Sequence, residues 1–130
     1  MKPLEGMRIL VVDDDNDLSE ILSFALKMNS AIVECADGGW SAWELLQTKT
    51  FDVILCDMRM PKGDGLFLAQ KIKESGKSES VFILHSGFND VTELQREELG
   101  IDCVLKKPSS IVELEQIILK LREKFIKKPA

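Results

Sequence analysis

Four places in this 130-residue chain set a reactive side chain where the composition changes abruptly. Asp57 ends the apolar run Val53-Ile-Leu-Cys56 and is followed by Met-Arg-Met-Pro61, with Gly63 and Gly65 close behind. Asp13, Asp14 and Asp15 end the run Met7 to Val12, Ser86 ends Val81 to His85 just before Gly87, and Lys107 follows the run Ile101 to Leu105 and precedes Pro108. Short β-rich apolar runs suit strands buried on both faces, as in a parallel sheet, and Pro and Gly force loops after them. In such a sheet all carboxyl ends lie on one edge, the edge at which open α/β sheets bind ligands. Clustered carboxylates repel, by about 4 kcal/mol for a pair 4 Å apart at an effective dielectric of 20, and a hard cation relieves this. Mg²⁺ suits the set, because it takes one or two carboxylates, keeps several waters and accepts a phosphate oxygen. A carboxylate nucleophile beside Mg²⁺, the Lys107 ammonium and the Ser86 hydroxyl would make a site for phosphoryl transfer.

The elements that must position these groups follow from periodicity. Met7–Val12 reads as a first strand; Leu18, Ile21, Leu22 and Ala25 then fall at i, i+3, i+4 and i+7, a helix with Asn16 or Asp17 available as cap. Ala31–Ala36 is a second strand, closed by Asp37-Gly-Gly39, and Ala42, Trp43, Leu45 and Leu46 mark a helix that runs out near Thr50. The Asp57 strand comes third, then a helix with Leu66, Leu68, Ala69 and Ile72 that stops at Ser75-Gly76. Val81–Ser86 is the fourth strand; Asp90-Val-Thr-Glu93 has capping-box spacing and opens a helix reaching Leu99, with Gly100 at its end. Ile101–Leu105 is the fifth strand, and Ser110-Ile-Val-Glu113 is a second capping box. The last helix sets Ile111, Leu114, Ile117, Ile118, Leu121 and Phe125 on one broad face. Five alternations of strand and helix predict a parallel sheet with right-handed crossovers and helices on both faces, an α/β domain.

Composition bounds the rest. A chain of this length is one domain, long enough to bury a core without disulfides or metal. Its charge of −5 and isoelectric point near 4.9 argue against direct nucleic-acid binding, which calls for a basic patch. Cys35, Cys56 and Cys103 lie far apart in apolar runs, which suggests small buried residues in a reducing cytoplasm. No signal peptide or membrane span is expected, so the predicted location is cytoplasmic and no membrane partner is foreseen.

Val11-Val-Asp-Asp14, Asp57-Met-Arg-Met-Pro61 with Gly65, Ser86-Gly87 and Lys107-Pro108, in this order and at strand ends, resemble the signature of the response-regulator receiver domain of two-component signalling. The resemblance spans residues 7–126, leaving short tails at 1–6 and 127–130, and implies the flavodoxin-like (βα)5 doubly wound fold with strand order 2-1-3-4-5. It implies that Asp57 accepts a phosphoryl group from the phosphohistidine of a histidine kinase or phosphotransfer protein. It further implies a Mg²⁺ site made by Asp14 directly, Asp13 through water, the Asp57 carboxylate and the backbone carbonyl of Arg59. Ser86 would swing to the phosphoryl group, Lys107 would pair with it, and Gly87 would leave room for the movement. The switched output face would be formed by the fourth helix, fifth strand and fifth helix, read by a downstream protein or a fused output domain. Such a module catalyses only its own phosphorylation and dephosphorylation. Two positions depart from the family pattern: the switch aromatic of the fifth strand is Val104, and Ser109 stands where a bulky apolar residue is common. Phe88, two residues past Ser86, is expected to shield the phosphoryl group from water.

Rival functions fare unequally. An aspartate-nucleophile phosphohydrolase needs an acid two residues beyond the nucleophile, where this chain has Arg59. A flavin carrier needs a phosphate-cradling loop after the first strand, where three aspartates would repel phosphate. A degenerate receiver that binds partners constitutively remains the alternative, on the strength of Val104 and Ser109. Plainer roles are expected for other groups: Asp15, Asp37 and Asp64 as loop residues or helix caps, Lys106 as a solvated charge, His85 as a packed and hydrogen-bonded side chain, and Trp43 as core. Trp40 is expected to face outward, and the Lys-rich end from Lys120 to read as a solvated helix terminus.

Overall fold

The computed structural model describes residues 2–76, 80–87, 91–107 and 109–126, with side chains as far as residue 122. Strands and helices alternate: β1 (Arg8–Val12), α1 (Asn16–Met28), β2 (Ile32–Ala36), α2 (Gly39–Leu46), β3 (Val53–Asp57), α3 (Gly65–Ser75), β4 (Val81–Ser86), α4 (Glu93–Glu98), β5 (Cys103–Lys106) and α5 (Ile111–Ile126). All neighbouring strands are parallel, in the order β2-β1-β3-β4-β5. This is the expected flavodoxin-like α/β fold. β1, β3 and β4 are central strands, and their continuous Val/Ile/Leu runs reflect burial on both faces.

The alternation of side chains along each strand splits the core in two. On one face Ile9, Val11, Val53, Leu55, Val81 and Ile83 meet Leu22 and Leu26 of α1 and Leu114 and Ile118 of α5. On the other, Leu10, Val12, Ile54, Cys56, Phe82 and Leu84 meet Ala42 of α2 and Leu68 and Ala69 of α3. Fully burying one such aliphatic side chain stabilises by about 1.5–3 kcal/mol as an upper estimate, so both layers are held firmly.

The structure corrects several local expectations. Helix α1 is capped by Asp15, whose side chain accepts from Leu18 N, and not by Asn16 or Asp17. Ile21 is 63% exposed; the buried stripe of α1 runs through Ser19, Leu22, Ser23 and Leu26, because the helix leans toward β2 and turns Ile21 outward. Gly39 opens α2 instead of standing before it, and the helix ends at Leu46, short of Thr50. Thr92 caps α4 through a capping box with Gln95, so the box sits two residues later than the Asp90–Glu93 spacing suggested; Asp90 lies outside the described residues. At α5 the expected cap is present, with Glu113 N donating to Ser110 Oγ. Of the six side chains expected on the α5 face, Leu114 and Ile118 are buried, Ile111, Ile117 and Leu121 partly so, and the Phe125 side chain falls outside the described part. Cys56 is buried as expected and Cys103 half-buried, but Cys35 is exposed because β2 is an edge strand. Among the described residues no helix is long and apolar enough to cross a membrane.

Candidate functional site

Strand register assembles the site. Val12 pairs with Cys56, Asp57 with His85, and Ser86 with Lys106, so Asp13, Asp57, Ser86 and Lys107 arrive together at the carboxyl edge. The ladder continues one step beyond the strands on each side of β4. Met58 N donates to the His85 carbonyl at 3.0 Å and Lys107 N to the Ser86 carbonyl at 2.8 Å, fixing the backbone that carries Asp57 and Lys107. The loop after Asp57 returns through Gly65 N, which donates to the Met58 carbonyl at 3.0 Å. A Cβ on Gly65 would clash with Leu84 Cδ1 and lie 2.9 Å from the Asp57 carbonyl oxygen, so only glycine lets α3 start this close to the site. Asp64 caps that helix by accepting from Phe67 N.

The charges are tightly grouped. Lys107 Nζ lies 2.9 Å from Asp57 Oδ1 and 3.9 Å from Asp13 Oδ2. Asp13, Asp14 and Asp57 each present a carboxylate oxygen, and these oxygens lie within 4.8 Å of one another. Asp13 is 4% exposed, and its Oδ1 accepts from Asp15 N at 2.9 Å. Burial pushes the Asp13 carboxyl above its ordinary range; the Asp15 bond opposes this, and the Asp57 charge adds to it. Three hard oxygen donors, one buried, one half-buried and one exposed, form a partly open set that suits Mg²⁺ with waters in its remaining positions.

Ser86 is buried at the end of β4, and a Cβ on Gly87 would meet nothing within 4 Å, so the chain beside Ser86 is unhindered. Arg59 is exposed on the loop two residues past Asp57, Lys106 points to solvent, and Phe88 falls outside the described residues. Asp15 and Asp64 are caps, and Asp37 accepts from Ser41 Oγ. His85 is a packed, hydrogen-bonded side chain, 6% exposed, with Nε2 3.0 Å from Ser109 Oγ. That contact has no signature in the sequence beyond the unusual serine at 109. Trp43 packs against the α2–α3 core layer, whereas Trp40 is 54% exposed, tilted against Phe67 at 4.6 Å with Lys71 over both rings. Gly38 and Gly39 approach Lys62 and Gly63 too closely for a Cβ, which draws the loops after β2 and β3 together beneath that aromatic pair.

Comparison with known proteins agrees with this geometry. The family model of the response regulator receiver domain matches residues 9–119. The response regulator MprA of Mycobacterium ulcerans is 32% identical over 109 residues, 84% of this chain and 47% of that protein. The chain thus spans about half the length of the curated relatives it matches. Among solved structures, the receiver domain of the Francisella response regulator 1452 is 29% identical, with a TM-score of 0.82 over 92% of this chain and 98% of that one. TrrA of Thermotoga maritima, solved in complex with Mg²⁺-BeF, is 27% identical with a TM-score of 0.78, covering 88% of this chain and 98% of that one. With the acidic cluster, the paired lysine and the five-stranded sheet all in place, the chain belongs to the response-regulator receiver family, the signalling modules of two-component systems.

Proposed function

We propose that this domain, residues 7–126, is a live phosphoacceptor that is phosphorylated on Asp57 in a Mg²⁺-dependent reaction. The observation that carries this reading is the meeting of three carboxylates with Lys107 at one strand edge, Lys107 Nζ 2.9 Å from Asp57 Oδ1. Asp13, Asp14, the Asp57 carboxylate and the Arg59 carbonyl would hold Mg²⁺, which when bound offsets the charge of the carboxylates and of the phosphoryl oxygens. An Asp57 carboxylate oxygen attacks phosphorus, the bond from phosphorus to the donor's imidazole nitrogen breaks, and the nitrogen leaves with the electron pair. Lys107 turns from the carboxylate to a phosphoryl oxygen, and the Ser86 hydroxyl donates to another. Phosphorylation adds about −1.5 to −2 charge at this point, enough to bias the positions of Lys107 and Ser86 and, through them, the face of α4, β5 and α5. The donor would be a histidine kinase or phosphotransfer protein in the cytoplasm, and the reader a downstream protein or a fused output domain. Water attack on the acyl phosphate resets the module, so there is no separate turnover substrate. A second reading, a constitutive interaction module, is favoured by Val104, which stands 37% exposed at the position of the family's switch aromatic.

The test is intact mass after incubation with a small acyl phosphate, with and without Mg²⁺, beside Asp57→Asn. The expected result is one phosphoryl group, added only when both Mg²⁺ and Asp57 are present. No addition under conditions that phosphorylate a control receiver would reject the proposal in favour of the constitutive module.

A further inference from the structure

We propose that Ser109 and His85 are a pair of positioning residues that hold Lys107 against Asp57. The inference rests on the phosphoacceptor reading above and concerns the regulation of geometry at the same site. Lys107 reaches Asp57 through a long flexible side chain that is 30% exposed, so the place of its ammonium depends on how firmly its backbone is anchored. On the near side the anchor is the bond from Lys107 N to the Ser86 carbonyl, 2.8 Å. On the far side, two residues on, the Ser109 hydroxyl is hydrogen-bonded to His85 Nε2 at 3.0 Å. His85 is a rigid place to tie the loop: it is 6% exposed, lies in register with Asp57 on β3 and Leu105 on β5, and its carbonyl accepts from Met58 N. The strand that fixes Asp57 therefore also fixes both flanks of Lys107. Immediately beyond, Ser110 caps α5, so the tie also sets where that helix begins. Losing the hydroxyl would leave a largely buried imidazole nitrogen without this partner, which opposes opening of the loop. An apolar residue at 109 could pack but could not make this directional link.

The test follows the rate of phosphorylation by a small acyl phosphate, with Mg²⁺ affinity measured by calorimetry on the same proteins. Wild type comes first; if it takes no Asp57-dependent phosphoryl group, the phosphoacceptor reading fails and the positioning role falls with it. Given an active wild type, Ser109→Ala should react about 3- to 10-fold more slowly, the worth of one neutral hydrogen bond, with little change in Mg²⁺ affinity. Ser109→Thr, which keeps the hydroxyl, should restore the rate. With His85→Leu measured alongside, the double variant Ser109→Ala, His85→Leu should be no slower than the slower of the two single variants, because both remove the same bond. A Ser109→Ala protein that reacts at the wild-type rate would overturn the positioning role alone. So would a loss of rate that Ser109→Thr fails to rescue, or one matched by an equal loss of Mg²⁺ affinity.

Discussion

The imidazole of His85 has its pKa pushed from 6.5 down to about 4, first by burial, then by the Lys107 ammonium, with the Asp57 carboxylate opposing. The folded pKa is lower than the unfolded one, so between about pH 4 and 6.5 the unfolded chain binds a proton that the folded chain refuses. Stability is therefore full above pH 6.5 and declines as the pH falls toward 4, by up to about 3 kcal/mol from this residue alone. Asp13 works the other way, because its carboxyl is raised on folding: it costs stability as the pH rises through and above 3.8. Urea midpoints of wild type should fall between pH 6.5 and pH 4, and His85→Gln should flatten that slope. Equal slopes in the two proteins would mean that His85 is protonated freely in the fold. The sequence indicated a packed histidine at 85 but not its partner, since residues 24 positions apart meet only when β4 and the start of α5 are brought together.

Helix α3 starts packed against the end of β3, and that close approach depends on a missing side chain. The Leu84 methyl could move away from a Cβ on Gly65, but the Asp57 carbonyl at 2.9 Å belongs to the backbone that aims the Asp57 carboxylate. Gly65→Ala should lower unfolding stability by about 1–3 kcal/mol, as overpacking does, and should also slow phosphorylation. Gly87→Ala is the matched control: its Cβ meets nothing within 4 Å, so stability should change by less than about 0.5 kcal/mol. Denaturant titration of the three proteins checks both statements, and equal losses in the two variants would refute the steric account. The sequence marked both glycines as strand breakers alike; only the approach of α3 to β3 separates them.

At the scale of the molecule, an acidic chain of net charge −5 gathers three carboxylates at one edge of its sheet and sets one lysine among them. A cation that binds this cluster only in the folded state must stabilise the fold, by about 2.7 kcal/mol at a hundred times its Kd. The thermal midpoint should rise with Mg²⁺, and Asp14→Asn should remove most of the rise. An equal rise in the variant, or with sodium chloride at matched ionic strength, would mean general screening and no specific site. Two core layers flank the sheet, so the stabilisation read at the edge reports on the whole cooperative unit.

Taken alone, the sequence determined the order of elements and the identity of the groups at the strand ends. Each is a local matter: an apolar run ending in a carboxylate, a helical period, or a loop opened by Pro and Gly. Motif spacing added the strand order through family resemblance. Tertiary structure alone decided how far α1 turns, leaving Ile21 exposed and Leu26 buried, and that the edge strand β2 exposes Cys35. It also tied Ser109 to His85, whereas the caps at Asp15 and Thr92 are local bonds three residues long, and the Thr92-Glu-Leu-Gln95 box was legible in the sequence beside the Asp90–Glu93 spacing. The reason is common to the exposures and the tie: burial, and a side-chain bond between β4 and the loop before α5, depend on what packs opposite a residue, and that is set by the chain as a whole.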